Sequence, residues 1–107
     1  MPTFEERERS EEAKFKHDQE LAFKIRNRRN KLFGLWIAQE YLGLEGDEAL
    51  AYAKDVVIAD FEGPGDDDMM SKVKADLAAR KIEVSDHLLR KHLAECEAKA
   101  REQVRKE

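Results

Sequence analysis

Residues that interrupt helices or cross-link chains are scarce in this sequence. Its 107 residues include five Gly, two Pro and one Cys. Ala, Leu, Glu, Lys and Arg, the strongest helix formers, are abundant, so the composition predicts an all-α protein. The lone cysteine, Cys96, excludes an internal disulfide and suits a reducing compartment.

Long apolar runs and aromatic residues are also lacking. No run approaches the roughly 18–20 apolar residues that a membrane span requires, and the charged N-terminus does not resemble a signal peptide. Aromatic residues make up 7% of the chain, which predicts a small and mostly aliphatic core. These absences favour a cytoplasmic protein without direct membrane insertion.

Charge, by contrast, is plentiful and unevenly distributed. The chain has 24 acidic residues against 20 Lys and Arg, for a net charge of −4. Residues 1–31 hold nine basic and seven acidic residues, a net charge of +2, whereas residues 45–62 hold one and six, a net charge of −5. Nucleic-acid-binding domains are usually strongly basic. The net charge therefore predicts no nucleic acid partner. The uneven distribution of charge along the chain is relevant to the protein partners that it can bind.

Apolar residues recur at three- and four-residue steps in four segments, which predicts four helices. The expected helices cover residues 19–42, residues 47–62 with Asp47 as N-cap, a stretch from Asp66–Asp68 to about Lys81, and a stretch after an N-cap at Ser85. The connections between them are short, which predicts a compact four-helix bundle. The large apolar residues expected to form its core are Phe33, Trp36, Leu50, Phe61 and Leu89.

The first 18 residues form a helix-prone segment without an apolar face. Thr3 and Glu6 fit a capping box, and the only large apolar residues are Phe4 and Phe15. Isolated helices of this length are marginal in water. We therefore predict a mobile, partly helical N-terminal arm over residues 1–18 and a four-helix domain over residues 19–107. A frayed terminus without a role is the alternative.

Motifs for catalysis, metals or cofactors are weak. His92 and Cys96 are four residues apart, a spacing that can place two metal ligands on one helix face, but a buried thiol on an apolar face is favoured. Asp66–Asp68 do not match a calcium-binding loop and are expected to begin a helix. No phosphate loop or nucleophile motif is present. The sequence predicts a protein that is not an enzyme, with no cofactor and no metal site.

A basic cluster follows the arm in the stretch KIRNRRNK. Lys24, Arg28 and Lys31 fall on one helical face, where they could contact a phosphate or an acidic surface. With Trp36 nearby, one interpretation is an adenine-nucleotide-binding helical domain that uses residues 24–31. A protein partner and a solvated surface remain open alternatives.

Several stretches resemble one family: TFEERER, KFKHDQELAFKIRNRRNKLFGLWIAQ and AYAKDVVIADFEGPGDDD. They are similar to the zeta subunit of the alphaproteobacterial F-type ATP synthase, a small natural inhibitor of that enzyme. The resemblance covers nearly the whole chain, and after Asp68 it is carried more by helical pattern than by identity.

The resemblance implies a four-helix domain whose N-terminal segment inhibits ATP hydrolysis. That segment enters a catalytic interface between the alpha and beta subunits, near gamma, and blocks rotation in the hydrolysing direction. It implies a cytoplasmic location, peripheral to the inner membrane through the ATP synthase, whereas weak adenine nucleotide binding is an expectation from the basic cluster alone. The inhibitory residues that it implies here are Phe4, Arg7, Glu8, Arg9, Phe15 and His17.

One position departs from the family pattern. Glu11 stands where the family tends to have Phe, on the helical stripe that positions 4, 8, 11 and 15 share. An unpaired carboxylate in an interface costs several kcal/mol. We therefore expect weaker inhibition, or a different seating of the arm, than in family members with Phe.

Overall fold

A computed structural model describes residues 4–63 and 65–107, with side chains from Lys16 onward. In these residues the secondary structure is helical, with no strand. The helices are α1 (Phe4–Glu40), α2 (Gly46–Ala59), α3 (Asp67–Ala79) and α4 (Asp86–Lys106). The predicted all-α, four-helix fold is confirmed.

Helix α1 organises the bundle. It spans 37 residues, whereas α2 and α3 span 14 and 13. It packs against α2 on one side and α4 on the other, and α3 packs against α2. The helix is continuous through residue 18, so the division into 1–18 and 19–107 does not correspond to a break in secondary structure.

The core is one cluster of buried side chains from all four helices. Its fully buried members include Phe33 and Ile37 of α1, Val56 of α2, Val73 of α3 and Leu89 of α4. Burial of a side chain of this size contributes about 1.5–3 kcal/mol to folding. The aliphatic character expected from the composition is therefore present, with methionine as an added component.

Two residues predicted to lie in the core are instead largely exposed: Leu50 at 46% and Phe61 at 56%. The face of α2 that is buried carries small side chains, namely Ala49, Ala53, Val56 and Ala59. The small side chains of α2 are the buried ones because α1 and α2 pack closely at this crossing. A Cβ atom on Gly34 would lie 2.7 Å from the Cα of Ala53, so no larger residue fits there.

The helix starts agree with the predictions at one position and differ at another. Ser85 caps α4, and its Oγ accepts a hydrogen bond of 3.1 Å from the Leu88 amide. Val84 and Leu89, on either side of this cap, both pack into the core, as in a hydrophobic staple. The prediction that Asp47 caps α2 is wrong, because Glu45 occupies that position and Asp47 lies in the first turn.

Candidate functional site

The N-terminal half of α1 holds the predicted inhibitory residues. The side chains of Phe4, Arg7, Glu8, Arg9 and Phe15 lie outside the residues whose side chains the structure describes, as does Glu11. The capping box of Thr3 with Glu6 also lies outside them. His17 is described, and its side chain is exposed on α1.

The first described turns of α1 are largely exposed to solvent. Residues 16–20 are all exposed, and Leu21 and Phe23 are 37% and 54% exposed. Contacts of α1 with the rest of the bundle are found at Phe23, whose ring lies 5.7 Å from that of Phe61, and at Lys24. The helix thus leads from the bundle into solvent as it runs toward the N-terminus.

The basic cluster is divided between several contacts. Arg26 and Arg29 turn toward the α2–α3 connection, whereas Lys24 and Arg28 turn toward the end of α4. Lys31 is exposed. Because successive side chains on a helix are rotated by about 100°, five nearby cations cannot all face one ligand.

The contact with the α2–α3 connection is a buried polar network. Asp60, 4% exposed, accepts hydrogen bonds from Arg26 Nε at 2.5 Å and Nη2 at 3.0 Å, and from Asn30 Nδ2 at 2.7 Å. Arg29 donates to Asn30 Oδ1 at 3.0 Å and to Asp66 Oδ1 at 2.6 Å. The hydrogen bonds to Asp60 raise the pKa of the Arg26 guanidinium above its ordinary value.

This network fixes the direction of α1. The Arg26 Nη2 also donates to the Gly65 carbonyl at 2.9 Å. Among the described residues, every buried side-chain nitrogen and oxygen has a hydrogen-bond partner. A fully satisfied buried network specifies one arrangement, because any displacement leaves polar groups unpaired. The angle at which α1 leaves the bundle is therefore set by residues 26–30.

The contact with α4 lies at the surface. Lys24 Nζ lies 2.5 Å from Glu107 Oε2, and Arg28 bonds both Glu107 and Gln103. The hydrogen bonds from Lys24 and then Arg28 lower the pKa of the Glu107 carboxyl. Exposed pairs of this kind contribute little to stability. Their consequence is that two of the cations predicted to hold an anion already have an acidic neighbour.

A groove of about 380 Å³ lies between α1 and α2, above this surface. The groove is lined by Lys24, Asn27, Arg28, Lys31, Leu50, Lys54 and Val57. It brings together three of the predicted anion-binding residues, Lys24, Arg28 and Lys31. Sequence reasoning missed its α2 wall, because Leu50 was expected to lie in the core rather than on the surface.

Trp36, the fourth predicted contact residue, is not part of the groove. Its ring stacks on His92 with centroids 3.7 Å apart and packs against the core. Burial lowers the pKa of His92, while Glu95, 3.3 Å from its Nδ1, acts in the opposite direction. Cys96 lies one turn further along α4 and is 3% exposed, and burial raises the pKa of its thiol to about 11.

Comparison with known proteins complements this geometry. In the part of the chain that the structure describes, no helix has the length and apolar content to cross a bilayer. No curated protein matches the chain. The family model of the ATPase inhibitor subunit zeta matches residues 1–103. This match includes the N-terminal half of α1, the basic cluster and all of the bundle up to the last turn of α4, and we conclude that the chain belongs to the ATPase inhibitor subunit zeta family.

Proposed function

We propose that this chain is a non-catalytic inhibitor of ATP hydrolysis by the F-type ATP synthase. In this proposal residues 1–18 enter an interface between the alpha and beta subunits, near gamma, and block rotation in the hydrolysing direction. Residues 19–107 form the domain that carries this segment. The chain would then be located in the cytoplasm, attached to the inner membrane through the enzyme.

The exposed course of α1 is the observation that best supports this mechanism. Residues 16–20 are helical and exposed on every side. A helix that extends into solvent can be inserted into another protein without unfolding the bundle. Its direction is fixed by the Asp60 network with Arg26 and Asn30, so the domain determines where the segment points.

Helix formation before binding favours insertion energetically. Ordering a chain costs on the order of 1–2 kcal/mol of backbone entropy per residue. A segment whose helix continues directly from a packed helix avoids the costly nucleation step, and α1 runs without interruption from Phe4 to Glu40. More of the contact energy in the interface is then available for inhibition.

The nucleotide-binding interpretation receives less support from the geometry. Trp36 stacks on His92 in the bundle rather than facing Lys31 across the groove. Lys24 and Arg28 already contact Glu107. Titration of ATP into the domain, followed by amide chemical shifts around residues 24–42, tests this alternative.

The decisive experiment compares the full chain with one that begins at Gln19. Since residues 16–20 are exposed, the truncation should leave the free energy of unfolding within about 0.5 kcal/mol of wild type, measured by urea denaturation. Only the full chain should stop ATP hydrolysis by the purified enzyme. Equal inhibition by the truncated chain would show that residues 1–18 are not the inhibitory element.

A further inference from the structure

The groove between α1 and α2 has an apolar floor that the core does not use. Leu50 is 46% exposed, and Val57 beside it is half-buried. Beyond one end of the groove, the rings of Phe23 and Phe61 contact each other while more than half of each residue remains exposed. Apolar side chains grouped on a surface and bordered by polar ones mark interaction sites.

Basic side chains border this floor. Lys24, Arg28 and Lys31 line the groove from α1 and Lys54 lines it from α2, and no acidic residue of the described chain is among its lining. Lys31 and Lys54 are exposed, and no ion pair joins either one to another residue in the described part of the chain. The net charge of the whole chain is −4. Because Lys24 and Arg28 already pair with Glu107, Lys31 and Lys54 are the groove cations that favour an acidic partner.

We propose that this α1–α2 groove binds an acidic amphipathic helix of the ATP synthase catalytic head and so holds the bundle on the enzyme. This proposal rests on the inhibitor function proposed above. The wall from Leu50 to Val57 is about 10 Å long at roughly 1.5 Å per residue, enough for two turns of a docked helix. Such a helix places apolar side chains at positions i, i+3 or i+4, and i+7 on the floor, and its acidic residues face the lysines.

The dimensions and chemistry of the groove favour a helix over a small anion. The side chains of Leu50 and Val57 have no hydrogen-bond donor for a phosphate, whereas they can pack against the apolar face of an amphipathic helix. The lysines at the border are spread along both walls rather than converging on one point. Extended apolar contact with charges along its edges is the pattern of helix-in-groove recognition.

A charge-reversal variant tests the proposal. The double variant Lys31→Glu with Lys54→Glu is compared with Lys91→Glu plus Lys99→Glu, an equal change of charge at exposed positions of α4. Binding of the full-length protein to the purified catalytic head is measured separately from inhibition at saturation. We expect the groove variant to bind at least about tenfold more weakly with a reduced dependence on salt, and the α4 variant to bind like wild type.

A second variant and a cross-link probe the floor of the groove. Leu50→Ser removes an exposed apolar side chain and should also weaken binding without lowering the unfolding temperature. A photoreactive side chain at Lys54 should cross-link to an acidic helical segment of the enzyme, identified by mass spectrometry. A cross-link to this chain itself or to nucleic acid would overturn the proposal.

The two proposals fail in different ways. If wild type inhibits the enzyme and the groove variant binds equally well, the groove is not the docking site and the inhibitor function stands. If wild type binds through the groove without inhibiting hydrolysis, the inhibitory mechanism is wrong while the docking site stands. If wild type neither binds nor inhibits, both are overturned.

Discussion

Asp60 shows how a single residue links the helices of this protein. It lies at the end of α2, yet its carboxylate is bound by Arg26 and Asn30 of α1, 34 and 30 residues away. Asn30 is fully buried and Asp60 is 4% exposed. A charge this buried is stable only while its partners are in place. The residue that ends α2 therefore also determines the position of α1.

Replacing Asp60 tests this role. Asp60→Ala leaves the buried Asn30 amide unpaired and removes two hydrogen bonds from Arg26. The free energy of unfolding should fall by about 1–3 kcal/mol, as measured by urea denaturation. Asp55→Ala, an exposed change on the same helix, should stay within about 0.5 kcal/mol of wild type. Equal stability of the two variants would contradict a structural role for the network.

Cys96 gives a second prediction for a single residue. Its thiol is 3% exposed, and burial raises its pKa to about 11. At about pH 8 the reactive thiolate should be at least roughly a hundredfold rarer than for a free cysteine. Reaction with a disulfide reagent should be slower by at least that factor in the folded protein than in denaturant. A fast reaction in the folded state would mean that α4 opens readily.

Helices α1 and α2 approach each other closely at Gly34. Gly34 has no side chain, and its Cα faces the backbone of Ala53. Glycine in the middle of a helix costs about 0.5–1 kcal/mol relative to alanine, so this position sacrifices helix propensity. The absence of a side chain allows the two helices to pack closely. Because they pack closely, the larger residues Leu50 and Val57 lie at the edge of the contact, where they line the groove.

Adding one methyl group at this crossing should separate the helices. Gly34→Ala would improve helix propensity, but its Cβ would lie 2.7 Å from the Ala53 Cα. Overpacking of this kind costs about 1–3 kcal/mol, and we expect a net loss of stability and a lower unfolding temperature. Gln39→Ala, at an exposed position of the same helix, is the control. A stabilised Gly34→Ala variant would show that α1 and α2 adapt freely.

For the whole molecule, the proposed inhibition depends on how the bundle presents α1. The core joins residues of all four helices around Phe33, while the Asp60 network fixes the direction of α1. Residues 16–20 of α1 are exposed and take no part in the core. Two surfaces are then available to a partner: the projecting end of α1 and the α1–α2 groove.

The departure at Glu11 gives a prediction for the complete inhibitor. Glu11→Phe should inhibit hydrolysis by the enzyme more strongly than wild type, because it removes a carboxylate that costs several kcal/mol in an apolar interface. Ala13→Phe adds the same ring on the opposite face of the helix and should bring no gain. The measurement is the concentration of each variant that halves ATPase activity. Equal or weaker inhibition by Glu11→Phe would show that the Glu11 carboxylate does not weaken binding of the N-terminal segment.

Local sequence determined the features that depend on neighbouring residues. The scarcity of Gly and Pro predicted an all-α protein, the three- and four-residue apolar steps predicted four helices, and Ser85 predicted the start of α4. The family resemblance agrees with the family model that matches residues 1–103, while the arm over residues 1–18 stays a prediction. These signals are local, because caps and helical periodicity act over a few residues.

Only the tertiary structure decided how helices and charges pair. The sequence of α2 contains a stripe of small residues and a stripe of larger apolar residues. The close approach at Gly34 buries the small residues, among them Ala49 and Ala53, and leaves Leu50 and Phe61 exposed. The basic stretch predicted one face of Lys24, Arg28 and Lys31, but not that Arg26 would pair with Asp60 and Arg28 with Glu107, 34 and 79 residues away. No local pattern encodes such distances. They follow from the packing of whole helices, and the groove between α1 and α2 is a result of that packing.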